Sequence, residues 1–175
     1  MKYIIFVIIF CVTMGNLNAA SYSFNGQNFT QVSGEYTLTD NVFGGFITTV
    51  PIDPNAGVAD ITPILISYQF FDGVQMLNDS NSKILAFRVS VDDLGYVDET
   101  AMTIWRTPVT TEFGGNVQGI DMYRSPQQSQ MFGFKDGECN NNGGPGGECI
   151  GASFTGENSG IYTYFDLIFS SGFDF

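Results

Sequence analysis

The forty residues from Ser67 to Arg106 constrain the fold more than any other part of the chain: SYQFFDGVQMLNDSNSKILAFRVSVDDLGYVDETAMTIWR. They read as two successive strand-turn-strand units. Ile64, Ile66, Tyr68 and Phe70 fall on one face of an extended chain, because side chains alternate with period two. Asp72-Gly73 supplies the positive φ angles of a two-residue hairpin turn, which pairs Phe71 with Val74 and Tyr68 with Leu77. Asn78 to Ser82 is a polar loop. Leu85, Phe87, Val89 and Val91 then face one way and Ala86, Arg88 and Ser90 the other, the alternation of a half-buried antiparallel strand. Asp92 to Gly95 is a second turn with Gly95 left-handed, and Thr100 to Thr107 returns as a strand carrying the single tryptophan, Trp105.

The order of residues in this stretch, Tyr68, Phe70, Asp72, Gly73, Val74, Gln75, Leu77, Asn81, Ser82, Phe87, Val89, Ser90, Asp92, Gly95 and Trp105, resembles the pattern FxFxDGVQxLxxxNSxxxxFxVSxDxxGxxxxW of a group of bacterial secreted proteins. Many members of that group carry a PEP-CTERM sorting tail. The segment FNGQNFTQVSGEYTLTDNVFGGF is similar to the group's opening. The resemblance implies export, an all-β fold and association with extracellular matrix or exopolysaccharide, and it brings no catalytic residues with it. The group's tail has no counterpart here, since no Pro-Glu-Pro, apolar span or arginine cluster precedes Phe175. Sorting by that route is not expected.

Residues 1–20 read as a signal peptide. Lys2 precedes the apolar run Tyr3 to Val12, and small residues Ala19 and Ala20 precede Ser21. The run is short for a membrane span of about 20 residues. Phe10 before Cys11 does not suit lipoprotein processing. Cleavage is expected after Ala20 in preference to Ala19, leaving 21–175 as a single domain that is secreted or extracellular, or held in the periplasm. Removing Lys2 leaves Lys83, Arg88, Arg106, Arg124 and Lys135 against 18 acidic residues, a net of −13. Nucleic acid is therefore excluded as a partner, because phosphate binding needs clustered Lys and Arg. Anionic polymers are disfavoured for the same reason.

Seventeen Phe and eight Tyr favour strands over helices, and no helix is expected. Short strands are expected around Tyr22 to Phe24, Tyr36 to Leu38 and Phe46 to Val50, broken by Asp40-Asn41 and Gly44-Gly45. Pro51 to Thr62 reads as a loop. Pro108 ends the Trp105 strand, Thr110 to Gly115 turns, and Val117 to Arg124, Gln130 to Phe134 and Ile161 to Phe169 are further strands. An outer-membrane barrel would need spans of about 9–11 residues, longer than most of these. Cys139 and Cys149 are the only cysteines outside the leader, and in an oxidising setting they predict a disulfide closing an 11-residue loop. The fold class expected is all-β: an antiparallel two-sheet sandwich, jelly-roll-like, of about 8–10 strands.

The chain has no histidine, which removes the usual Ser-His-Asp and Cys-His sets and the usual zinc and iron ligands. No phosphate-binding glycine loop is present. Two carboxylates at a set separation would suffice for a glycan hydrolase, and spacing alone picks out no pair. Asp92, Asp93, Asp98 and Glu99 are weak candidates for calcium; their order does not follow an EF-hand loop, and a solvated turn accounts for them more simply. No other cofactor is expected. Tyr36, Tyr96, Tyr123, Tyr162 and Tyr164 are the tyrosines expected to be exposed. The reading is a non-catalytic structural or adhesive module that meets polysaccharide or a cell-surface or matrix protein. The alternative is a carboxylate-based glycan hydrolase or carbohydrate-binding module.

Overall fold

The computed structural model describes residues 19–125, 129–153, 159–162 and 165–170, with side chains up to Ser153. Most of the predicted leader therefore lies outside the described residues. Within them the chain is a sandwich of two antiparallel sheets. The strands are β1 (Ala20–Gly26), β2 (Gln31–Val32), β3 (Phe43–Thr48), β4 (Ala59–Asp60), β5 (Leu65–Phe71), β6 (Met76–Asn78), β7 (Ser82–Val91), β8 (Val97–Arg106), β9 (Asn116–Arg124), β10 (Ser129–Asn142), β11 (Cys149–Ser153), β12 (Ser159–Tyr162) and β13 (Phe165–Ser170). Thirteen exceeds the expected eight to ten because β2, β4 and β6 are only two or three residues long. The only helical pieces among the described residues are single 3-10 turns at Thr62–Ile64 and Pro145–Gly147.

One sheet has the order β13-β1-β3-β5-β6; the other runs β2-β12-β10-β9-β8-β7-β4, with β11 added to the far end of β10. The main core lies between them. Tyr22 stacks on Phe46 at 4.7 Å, and Phe46 meets Phe87 of the facing sheet edge-on at 4.8 Å. Each such ring, fully buried, contributes about 1.5–3 kcal/mol.

The hairpins fall where alternation and turn residues put them, with one register correction. Phe71 pairs with Met76 and Phe70 with Leu77, so the first turn is the four residues Asp72 to Gln75 rather than Asp72-Gly73 alone. A two-residue turn of that type needs positive φ at both positions. Here only Gly73 adopts it, at +97°. The Asp72 amide donates to the Gln75 carbonyl oxygen at 3.2 Å, and its carboxylate accepts from the Val74 and Gln75 amides, so the turn is centred one residue later, on Gly73-Val74. The second turn holds as read: Gly95 has φ +83°, and Asp92 Oδ1 accepts from the amides of Leu94 and Tyr96.

Other departures have local causes. Ile66 is 52% exposed, not inward, because a bulge leaves it unpaired while Thr48 pairs with Leu65 and Ile47 with Ser67. A bulge at Leu85 likewise turns that side chain away from Phe87, Val89 and Val91, which remain in the main core. Ser90, placed outward by alternation, is buried, and its hydroxyl bonds to Asp98. Tyr36 to Leu38 form a turn, not a strand, and β10 runs eight residues beyond Phe134. The single strand expected over Ile161 to Phe169 is divided: β12 pairs with β10 in one sheet and β13 with β1 in the other. The faces expected for that segment lie outside the described side chains.

Gly44 and Gly45 do not break a strand; they sit inside β3. A Cβ on Gly44 would lie 2.1 Å from the Gln69 carbonyl oxygen, and one on Gly45 would lie 2.3 Å from that of Tyr22. The two glycines let β1 and β5 close on β3 from both sides.

Candidate ligand-binding face

Two polar arrangements and one groove stand out above the scaffold. The first is buried. Asp72 is fully enclosed at 0% exposure, and its Oδ2 accepts from the Tyr36 hydroxyl at 2.7 Å and from Gln75 Nε2 at 3.1 Å. Gln75 Nε2 also donates to the Phe134 carbonyl oxygen of the facing sheet at 2.8 Å. Burial raises the Asp72 pKa, while the bonds from Tyr36, Gln75 and the turn amides pull it down. Burial and the adjacent Asp72 carboxylate both push the Tyr36 phenol up, beyond any physiological titration. This triad pins the first hairpin to the opposite sheet. A Cβ on Gly133 would come 2.9 Å from the Asp72 side chain, so the facing strand leaves it the space.

The second arrangement lies on the face of the eight-stranded sheet turned away from the main core. There Trp105, Val117 and Phe134 form a smaller apolar core with the Cys139–Cys149 disulfide, whose Cα atoms are 5.8 Å apart and whose cysteines are fully buried. The predicted disulfide is thus present, and it does more than close its loop. It holds the end of β10 and β11 as a flap over Trp105, tied by Cys149 N–H to the Thr110 carbonyl and by an ion pair from Lys83 to Glu148. Trp105 Nε1 donates to Asp121 Oδ1 at 3.1 Å. Burial raises the Asp121 pKa to about 6, against bonds from Trp105 and Thr103 that lower it.

The groove, of ≈ 450 Å³, lies on the outer face of the five-stranded sheet. Strand register builds it. Ser23, Gly45, Gln69 and Asn78 stand side by side across β1, β3, β5 and β6, with Ser21, Ile47 and Ser67 in the next row. Gly44 and Gly45 form its floor, and Asp79 stands at its β6 end. On the other side of the polar row, Phe43 and Phe71 pair at 5.2 Å beside Met76. Phe43, Ile47 and Met76 are each 37–43% exposed. A trough of hydroxyl and amide groups edged by aromatic and aliphatic side chains suits a ligand with alternating polar and apolar surfaces.

This face is not legible in the sequence. Its signal was the outward set Ser21, Ser23, Phe43, Gly45, Gln69 and Phe71, which becomes a site only once the strand order is known. The calcium candidates are placed differently. Asp92 is engaged in its own turn, Asp98 accepts from the Ser90 hydroxyl, Asp93 is exposed, and Glu99 is half-buried on β8 opposite Ser90. Among the described residues, no three Asp, Glu or Cys side chains come together as a metal cage. Of the tyrosines expected outside, Tyr96 and Tyr123 are 50% and 44% exposed, but Tyr36 is buried. The Tyr162 and Tyr164 side chains lie outside the described residues. Comparison of the chain with family models, curated proteins and solved structures finds no match to any of them.

Proposed function

We propose that the chain is an exported, non-catalytic adhesive or structural module that lays the outer face of its five-stranded sheet on polysaccharide at the cell exterior. The observation that carries this reading is the glycine-floored groove edged by the Phe43–Phe71 pair. Exposed apolar side chains next to convergent polar groups mark interaction surfaces more often than inert ones. The predicted leader and the disulfide accord with an oxidising location.

The test is binding of the oxidised protein to a panel of neutral, cationic and anionic polysaccharides, alongside Phe43→Ala and Gln69→Ala. Saturable binding weakened by both substitutions supports the reading. Binding that neither changes would move the site elsewhere, and no binding to any member of the panel would overturn a glycan role. Product analysis on any bound glycan checks for cleavage, which would favour the hydrolase alternative.

A further inference from the structure

Resting on the polysaccharide reading above, we propose that the groove takes a linear polysaccharide carrying free amino groups, with Asp79 meeting a protonated amine. The row Ser23–Gly45–Gln69–Asn78 crosses four strands, three inter-strand steps, or about 14 Å. That length holds a short run of sugar units rather than one. Among the described residues that line the groove Asp79 alone carries a charge, and no Lys or Arg is among them.

Asp79 sits in the turn after β6, exposed at the groove's mouth. It is close enough to the Tyr68 hydroxyl to add to the upward pKa shift that burial imposes there. The chain as a whole carries a formal net charge of −12, which favours the approach of a cationic polymer over an anionic one. Gln69, exposed on the same row, supplies an amide to ring hydroxyls, while Phe43 offers an apolar edge to the sugar's C–H face.

The experiment titrates the full oxidised protein with three oligosaccharides of one length and linkage: a glucosamine oligomer, its N-acetylated counterpart and a glucose oligomer. The glucosamine oligomer is expected to bind about fivefold or more tighter than the other two, with the advantage falling as salt is raised. Asp79→Asn should lose about two- to fivefold toward the amine form alone, the range of one exposed charge pair. Asp93→Asn, an exposed acid in the distant β7–β8 turn, should lose little.

Equal affinity for all three oligomers would overturn the amine preference and leave the polysaccharide reading intact. Equal losses from Asp79→Asn and Asp93→Asn would overturn it too, since binding would then be diffuse attraction. Failure of all three oligomers to bind would also overturn it. The wider panel would then decide separately whether any glycan is bound.

Discussion

The Tyr36 hydroxyl donates to Asp72 Oδ2 at 2.7 Å across 36 residues of sequence, joining the loop before β3 to the turn after β5. Both side chains are buried, and the Asp72 carboxylate also gathers two turn amides and the Gln75 side chain. Tyr36→Phe keeps the ring against Phe29 but leaves a buried carboxylate short of one donor. Stability should fall by about 1.5–3 kcal/mol, the range for a hydrogen bond to a charged group. Denaturant unfolding of both proteins measures it, and a loss below about 0.5 kcal/mol would mean that the bond is replaced in the variant.

Asp121 sets a pH dependence of definite sign. Its folded pKa is raised from 3.8 to about 6, so the folded state holds this proton more tightly than the unfolded chain does. Its contribution is fully present below the unfolded value and is lost as pH rises through the folded one. Between those limits the wild type should lose about 2 kcal/mol relative to Asp121→Asn, less than full linkage gives because the side chain is partly solvated. Urea unfolding of the two proteins across this window tests it; parallel curves would exclude Asp121 as the source.

The disulfide should guard the Trp105 core. Both cysteines are fully buried, so a mild reductant is expected to leave the native protein oxidised until denaturant opens the flap. Replacing Cys139 and Cys149 together by Ala should cost about 3 kcal/mol on the chain-entropy account. It should also shift the emission of the single tryptophan to the red as water reaches it. An unshifted spectrum with full loss of stability would show that the bridge acts on the unfolded chain alone.

Gly44→Ala should be among the most damaging single substitutions in the molecule. The backbone there has φ +151°, and the added methyl would collide with β5 backbone rather than with a side chain able to move. Strain and overpacking together predict a loss of about 3 kcal/mol or more, read as soluble yield and unfolding midpoint. Gly57→Ala is the control: it also has positive φ, at +61°, but nothing lies within 4 Å of the added Cβ. Its cost should be smaller.

Millimolar calcium is expected to leave the melting temperature unchanged, because Asp92 already serves its turn amides and Asp98 serves Ser90. A rise of several degrees that EDTA reverses would instead assign an ion to the β7–β8 turn.

The sites differ in how far they could be read ahead. The Asp92 turn was legible because its chemistry lies within five residues. Asp72 was legible as a turn residue but not as a buried acid: Gln75 lies in the same turn, but Tyr36 and the Gly133 that makes room for it come from a separate loop and strand. Trp105 was legible as a strand residue. That it faces away from the main core, under a disulfide flap, depends on where the chain beyond Gly137 returns. The Gly44-Gly45 pair was misread as punctuation because only close approach of two other strands shows why no Cβ fits.

The sequence alone determined the all-β class, the two central hairpins and the disulfide, because period-two alternation, turn residues and the pairing of two lone cysteines need little beyond local information. The tertiary structure decided which strands became neighbours. It thereby decided which acid was buried, which aromatics were wet, and how four outward residues from four strands came to line one groove. Those outcomes rest on contacts between distant segments, where each residue's environment is supplied by others that its own neighbours in sequence do not specify.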